Sequence, residues 1–311
     1  MDDALVASRA IHFTAVMVAF GAGAFRLYAV GDCHPEILAR LDARLRDLLL
    51  VAAIVAILSA LLLVPLIGSR MAGSASAALD RNTISAVLFD TGFGRVWRWH
   101  LLIAGLLVLA CAVRQARPAY RAALGALLLA SLGLVGHAVA EQGWVGLSHE
   151  INASVHLLAV GLWLGGLVNL GAVVVQARRS ASAAWYAVLR HALPRFSRVA
   201  YGAVALVALT GVINTVFLVG SIDGLIGTPY GRLLLVKISL FFLLLAVAVI
   251  NRLIVAPWIH RETAPSSGTA ALLWTVGIEQ TLGLGILAVV SVLGTWPPAI
   301  HMLDHSGGHH H

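Results

Sequence analysis

The chain has 311 residues, of which 60% are hydrophobic and 11% charged, and its mean hydropathy is +0.92. This composition excludes a soluble globular domain and places the chain among polytopic membrane proteins. The net charge of +7 does not indicate nucleic-acid binding, because the basic residues lie between apolar segments, where they report membrane topology.

Eight apolar segments of about 20 residues follow one another, each long enough to cross about 30 Å of hydrocarbon. We therefore predict an all-α polytopic membrane protein in which residues 1–311 form a single membrane domain. Residues 296–311 form an outer tail whose final Gly-Gly-His-His-His resembles an expression-tag remnant. The predicted spans are residues 5–30, 47–68, 96–113, 121–140, 149–175, 196–220, 232–256 and 271–295.

The loops between these segments differ in charge. Loops after odd-numbered segments are rich in arginine, whereas the loop after the fourth has no Lys or Arg and contains only Glu141 and Glu150. The positive-inside rule then puts the odd loops in the cytoplasm and both termini outside. Residues 69–95 are assigned outside, although they contain three arginines, so this loop departs from the positive-inside rule. Within that loop, residues 77–89 have the pattern of a short interfacial helix.

The two halves of the chain share short patterns in the same order. The matched positions are Thr91–Arg95 with Thr228–Arg232, His100 with Lys237, His12 with His156, and Gly21 with Gly165. We interpret them as a parallel 4+4 duplication, with halves at about 1–140 and 149–295, an arrangement common in transporters.

Five histidines share the outer half of the predicted bundle: His12, His100, His137, His149 and His156. Ionisable residues are rare inside membranes, and imidazole is a frequent ligand for copper, zinc, iron and nickel. The competing interpretation is that each histidine only hydrogen-bonds a neighbouring helix. Because the five lie at one depth with acids beside them, we favour a metal site.

Several further residues are candidate accessories to this site. Glu141 and Glu150 lie near its mouth, and Met17 is either a soft ligand for Cu(I) or a packing residue. Lys237, the only lysine, either reaches the membrane surface or pairs with Glu279 in the last span. No standard enzyme motif is present, so we do not predict an enzyme.

The chain resembles the CopD-type bacterial copper resistance membrane proteins along nearly its whole length. The residues that carry the resemblance are Arg9-x-x-His12, Phe93-Gly94-x-x-Trp97, Gly136-His137-Ala138, His156 with Trp163-Leu-Gly-Gly166, Arg195-Phe-Ser197, Thr210-Gly211, Tyr230-Gly-Arg-x-Leu-x-x-Lys237 and Asn251-Arg252. The resemblance implies eight spans in the bacterial inner membrane, a periplasmic CopC-like copper-binding partner, and movement of copper across that membrane. It supplies no settled ligand set.

The sequence therefore predicts a copper transporter loaded from the periplasm, with Cu(I) or Cu(II) as its ion. His149, with Glu141 or Glu150, would capture the ion, and His12 and His156 would hold it deeper, with His100 and His137 nearby. The alternative is a membrane oxidoreductase with histidine axial ligands to b-type haem. A metal sensor or scaffold that binds without transport is a third possibility.

Overall fold

The computed structural model describes residues 2–31, 35–135, 143–180, 182–261 and 267–300, and within them the chain is helical without a β-strand. Seven helices are long and apolar enough to cross a membrane, by length and composition. The all-α polytopic prediction is thus confirmed. With a shorter apolar helix in fourth place, the helices are α1 (Asp3–Val30), α2 (Ile37–Met71), α3 (Gly92–Ala112), α4 (Pro118–Leu134), α5 (Gly143–Ser180), α6 (Ala183–Val219), α7 (Pro229–Arg261) and α8 (Ser267–Leu293).

Helix α4 is the reason that the number of spans differs from the eight predicted. Its 17 residues extend about 26 Å at 1.5 Å per residue, less than the ~30 Å of a hydrocarbon core. Residues 136–140, which complete the predicted fourth span, lie outside the described residues. The count of eight membrane crossings therefore stays a prediction.

Helix α2 is longer than its predicted span because it begins with charged helical turns. Residues 37–47 alternate apolar positions with arginines and aspartates, and the Arg26 guanidinium on α1 forms a salt bridge with Asp42. Between α2 and α3, a 3₁₀ turn (Ala75–Leu79) and a short helix (Arg81–Phe89) cover most of the predicted interfacial segment. Asp80 begins that helix by accepting a hydrogen bond from the Thr83 N–H.

Helix α1 lies at the centre of the bundle, where it packs against α2, α4, α5 and α8. It crosses α5 at two glycines: a Cβ on Gly21 would lie 2.4 Å from the Cα of Gly165. Only residues without side chains allow backbones to approach so closely. These glycines occupy matched positions of the predicted repeat, so the crossing agrees with two related halves, although the duplication itself stays a proposal.

The first turns of α3 and α7 are built alike. Thr91 Oγ1 accepts a hydrogen bond from the Gly94 N–H at 2.9 Å, and Thr228 Oγ1 accepts one from the Gly231 N–H at 3.0 Å. A Cβ on either glycine would lie within 2.3 Å of a carbonyl oxygen of the preceding short helix, which is Arg81–Phe89 before α3 and Ile222–Gly227 before α7. The shared Thr-x-x-Gly pattern is thus explained by an N-cap threonine followed by a glycine at a close backbone contact.

The helix crossing gives a stability prediction. Replacing Gly165 by alanine places a Cβ 2.3 Å from the Met17 carbonyl oxygen, so α1 and α5 must separate. We expect this overpacking to cost about 1–3 kcal/mol and to lower the thermal unfolding temperature of the detergent-solubilised protein. Gly277→Ala on α8 is the matched control, because no atom lies within 4 Å of its added Cβ. Equal unfolding temperatures for both variants would contradict the crossing.

Candidate metal centre

Two of the five predicted histidines meet in the interior of the bundle. The Nε2 atoms of His12 on α1 and His100 on α3 lie 3.1 Å apart. The ring centroids are separated by 5.0 Å, and the rings are tilted by 58°. Both side chains are fully enclosed, with exposed fractions of 1% and 0%. Helices α1 and α3 thus bring the Nε2 edges of two imidazoles together.

Hydrogen bonds from α2 determine which nitrogen of His12 carries the proton. His12 Nδ1 lies 3.1 Å from the Ala56 carbonyl oxygen and 2.9 Å from Ser59 Oγ. A carbonyl only accepts, and the Ser59 hydroxyl donates its own hydrogen to the Val55 carbonyl at 2.6 Å. His12 Nδ1 is therefore the donor, and His12 Nε2 presents a lone pair.

The same reasoning applies to His100. Its Nδ1 lies 2.7 Å from Ser131 Oγ on α4, and the Ser131 hydroxyl donates to the Leu128 carbonyl at 2.8 Å. Ser131 must then accept a hydrogen bond from Nδ1, which leaves His100 Nε2 with a lone pair as well. The tautomers are assigned from these hydrogen-bond partners. A serine on each neighbouring helix thus aims both lone pairs at the same point.

Two facing lone pairs repel each other unless a positive charge lies between them. A shared proton satisfies the 3.1 Å separation directly. A metal ion bound to both nitrogens at about 2.0–2.1 Å, as for zinc and imidazole, would need the nitrogens to be about 4 Å apart. The pair can therefore hold a metal ion if the two rings separate by about 1 Å.

Trp97 fixes the position of the pair. Its ring stacks on His100 with centroids 4.6 Å apart and planes 7° apart, while its Nε1–H donates to the Ala60 carbonyl at 3.0 Å. The same indole lies 5.4 Å from the His12 ring. Because Trp97 fills the space beside both imidazoles, a porphyrin does not fit between them, and the haem alternative has no support.

The second half of the chain repeats part of this arrangement. His156 Nδ1 lies 2.8 Å from Thr210 Oγ1 on α6, and the Thr210 hydroxyl donates to the Leu206 carbonyl. His156 Nδ1 is thus also a donor. Where the first half has His100, the second half has Lys237, and both His156 and Lys237 line an apolar cavity of about 390 Å³ between α5, α6 and α7.

The other predicted site residues lie apart from the pair. His149 stacks on Phe217 at a centroid distance of 4.5 Å, and Glu150 follows it on α5. Met17 is buried in the core at the crossing of α1 and α5, about 140° around the helix from His12. Asn251, not Lys237, is the hydrogen-bond partner of Glu279.

The site is smaller than the predicted cluster. His137 and Glu141 lie outside the described residues. In the part of the chain that the structure describes, no three His, Cys, Asp or Glu side chains lie close enough together to hold a metal ion. The five-histidine cluster therefore stays a prediction, and among the described residues the geometry brings together His12 and His100.

Sequence reasoning missed the residues that orient the imidazoles: Ser59, Ser131, Thr210 and Trp97. Each hydroxyl lies inside an apolar helix. Serine and threonine there hydrogen-bond their own backbone, so their presence does not change the apolar pattern that predicts the helix. The one sequence signal that could have identified these hydroxyl residues is a serine or threonine in the neighbouring helix at the same depth as a histidine.

The fold thus defines a multi-pass helical membrane protein, and the facing imidazoles give it a candidate metal centre. Residues 1–147 match the family model described as "Copper resistance protein D-like, N-terminal domain", and residues 190–293 match "Copper resistance protein D". The chain belongs to the copper resistance protein D family.

Three relatives are similar over nearly the whole chain. The "Inner membrane protein YebZ" of Escherichia coli (strain K12) is 29% identical, covering 94% of this chain and 98% of the relative. "Copper resistance protein D" of Pseudomonas syringae pv. tomato is 27% identical, with 96% and 98% covered. "Copper transport protein CutJ" of Bacillus subtilis (strain 168) is 28% identical, with 96% and 53% covered. No solved structure matches the chain.

Proposed function

We propose that this protein carries copper ions across the bacterial inner membrane and holds them in transit between His12 and His100. Membership in the copper resistance protein D family supports copper as the cargo, and the printed names of two relatives refer to copper resistance and copper transport. The name of a third relative supports the inner membrane. The observation that carries the proposal is the 3.1 Å distance between the Nε2 atoms of His12 and His100.

The donor set favours copper over other available ions. Imidazole suits copper, and among divalent ions Cu(II) outcompetes zinc at a given nitrogen site by the Irving–Williams order. Two opposed nitrogens fit the low coordination number of Cu(I), whereas Cu(II) prefers a tetragonal set of ligands. Buried serines and a stacked indole around the ligands are the kind of outer shell that orients imidazoles for a metal. We therefore propose Cu(I) as the bound form.

Loading takes place at the end of the bundle where α1 begins and α8 ends, called here the outer end. His12 lies nine residues from the start of α1 and His100 eight from the start of α3, about 12–14 Å along each axis. We propose that this end faces the periplasm, where His149 and Glu150, with Glu141, capture copper delivered by a CopC-like protein. The ion then moves inward to the pair.

Copper flux in proteoliposomes tests transport separately from binding. Vesicles that contain the purified full chain should accumulate or release copper faster than protein-free vesicles, because the pair offers an intermediate site within the membrane. Copper binding without any flux in either direction would contradict transport. It would favour the alternative that the protein is a metal sensor or scaffold.

Membrane orientation gives a further prediction. A reporter enzyme fused after Arg179 should be active in the cytoplasm, since the loop that follows α5 is rich in arginine. A reporter inserted between Gln142 and Leu147 should be active in the periplasm. The reverse pattern would place His12 and His100 near the cytoplasmic face and would overturn the proposed direction of loading.

A further inference from the structure

Helices α7 and α8 bury an acidic side chain that the copper site does not use. Glu279 is 2% exposed and lies 12 residues into α8, about 18 Å along the helix axis from its beginning. Asn251 Nδ2 on α7 donates a hydrogen bond to Glu279 Oε1, and the described residues offer this carboxyl group no second hydrogen bond. An ionisable group at such a depth is costly and is usually retained for function.

Asn251 is suited to either protonation state of this carboxyl group. In the orientation observed, its amide N–H donates to Glu279, while its Oδ1 is buried and has no partner within the described residues. Turning the amide by half a rotation presents Oδ1 instead, which accepts a hydrogen bond from a protonated carboxyl. The same pair can thus hold a carboxylate or a carboxylic acid without losing its hydrogen bond.

The backbone at Asn251 is irregular. Residues Asn251–Val255 form a π-helical turn within α7, and such turns are frequent at functional sites in helices. A second π-helical turn, Gly161–Gly165 in α5, holds Trp163, which is 2% exposed. Residues of both irregular turns line the same cavity as Glu279.

Glu279 lines a cavity of about 300 Å³ in the halves of α6, α7 and α8 that the predicted topology assigns to the cytoplasmic side. Asn251, Arg252 and Tyr201 also line this cavity, and Arg252 Nε donates to the Tyr201 hydroxyl at 3.0 Å. Trp163 forms part of its wall and also part of the wall of the cavity that holds His156 and Lys237. The buried indole of Trp163 therefore contributes to the walls of both cavities.

Few polar groups besides Asn251 face Glu279 across this cavity. Arg252 is the one charged lining residue that comes from α7, and α6 supplies the hydroxyls of Ser197 and Tyr201. The lining residues from α5 are apolar or aromatic. No basic side chain is bonded to Glu279 among the described residues. The carboxyl group is therefore not the fixed partner of a buried cation.

We propose that Glu279 is a proton-binding site reached from the cytoplasm through this cavity, with Asn251 as its positioning residue. The step adds one proton to the Glu279 carboxylate and forms a carboxylic acid, and the reverse step releases it through the same cavity. No other bond changes. The site is distinct from the His12–His100 pair and does not depend on copper binding by that pair.

Labelling with a hydrophobic carbodiimide tests this proposal without copper. The O–H of a protonated carboxyl adds across one C=N bond of a carbodiimide to give an O-acylisourea. Its acyl group then moves from oxygen to nitrogen, and mass spectrometry locates the resulting N-acylurea on the peptide. In the purified full chain, we expect the adduct on Glu279 to decrease as pH rises, because only the protonated carboxyl reacts. Glu279→Gln should lose this adduct and retain copper.

The Asn251→Leu variant tests the positioning role. Hydrogen bonds to charged groups are stronger than those between neutral groups, so loss of the amide favours the acid and should raise the midpoint of labelling by about one pH unit. A labelling midpoint equal to that of the wild type would show that Asn251 does not influence protonation of Glu279.

Two results would overturn the proton site itself. If Glu279 stays unlabelled at every pH, and infrared spectra show no carboxylic C=O stretch that Glu279→Gln removes, the residue is a fixed carboxylate. If sodium ions at constant pH protect Glu279 from labelling and potassium ions do not, the ligand is a sodium ion. Loss of copper binding leaves both measurements unaffected, so failure of the copper proposal is distinguishable.

Discussion

His100→Ala should lower the affinity of the purified protein for copper more than about 100-fold. Removing a residue that merely orients a ligand costs 10–100-fold, and removal of one of only two ligands costs more. His12 would be left with one lone pair facing a cavity where the second imidazole had been. The measurement is metal content after dialysis together with competition against a copper chelator, and His12→Ala should give the same result.

His149→Ala is the matched control for this experiment. His149 is buried at the outer end of α5, yet it stacks on Phe217 and not on the pair. Its loss should slow the capture of copper and leave the equilibrium affinity unchanged. Full copper retention in the double variant His12→Ala/His100→Ala would refute the proposal that these two histidines bind copper. An equally large loss of affinity in His149→Ala would favour the five-histidine cluster instead.

The amino-acid pattern was sufficient to predict the architecture because hydrophobic length is a physical requirement of the bilayer. The apolar segments correspond to helices α1–α8, and the two Thr-x-x-Gly patterns begin α3 and α7. Helix ends were predicted less well. Helix α2 starts at Ile37 and not near residue 47, because its first turns are charged and lie where hydropathy carries no signal.

The sequence grouped the histidines by their distance from the helix ends, but it could not show the direction in which they point. His12 and His100 were expected near one another because both lie about two to three turns below the outer end. His149 and His156 share one face of α5, yet their partners, Phe217 and Thr210, both come from α6. Which helix packs against that face is decided by close approaches such as Gly21 with Gly165, and no single-sequence pattern specifies them.

The two halves of the protein differ where the repeat predicts equivalence. His12 and His156 each donate Nδ1–H to a hydroxyl on the following helix, Ser59 or Thr210. The next matched position is His100 in one half and Lys237 in the other. An ammonium group has no lone pair for a metal ion and repels it through its charge. The difference explains why, in the part of the chain that the structure describes, the pair of imidazoles occurs in the first half and not in the second.

Lys237→His should therefore create a second copper site. The substitution removes the ammonium charge and offers an imidazole to the cavity of about 390 Å³ in which His156 already lies. We expect the variant to bind twice as much copper per chain as the wild type. Combined with His100→Ala, it should restore the wild-type amount, now bound in the second half.

Lys237→Gln separates the gain of a ligand from the loss of a charge. It removes the same positive charge and adds no imidazole, so its copper content should equal that of the wild type. X-ray absorption spectra of Lys237→His should show nitrogen neighbours at both copper ions, because each ion would lie between two imidazoles. If Lys237→His binds no more copper than Lys237→Gln, then His12 and His156 are not oriented equivalently in the two halves. The proposed duplication would then not extend to the site.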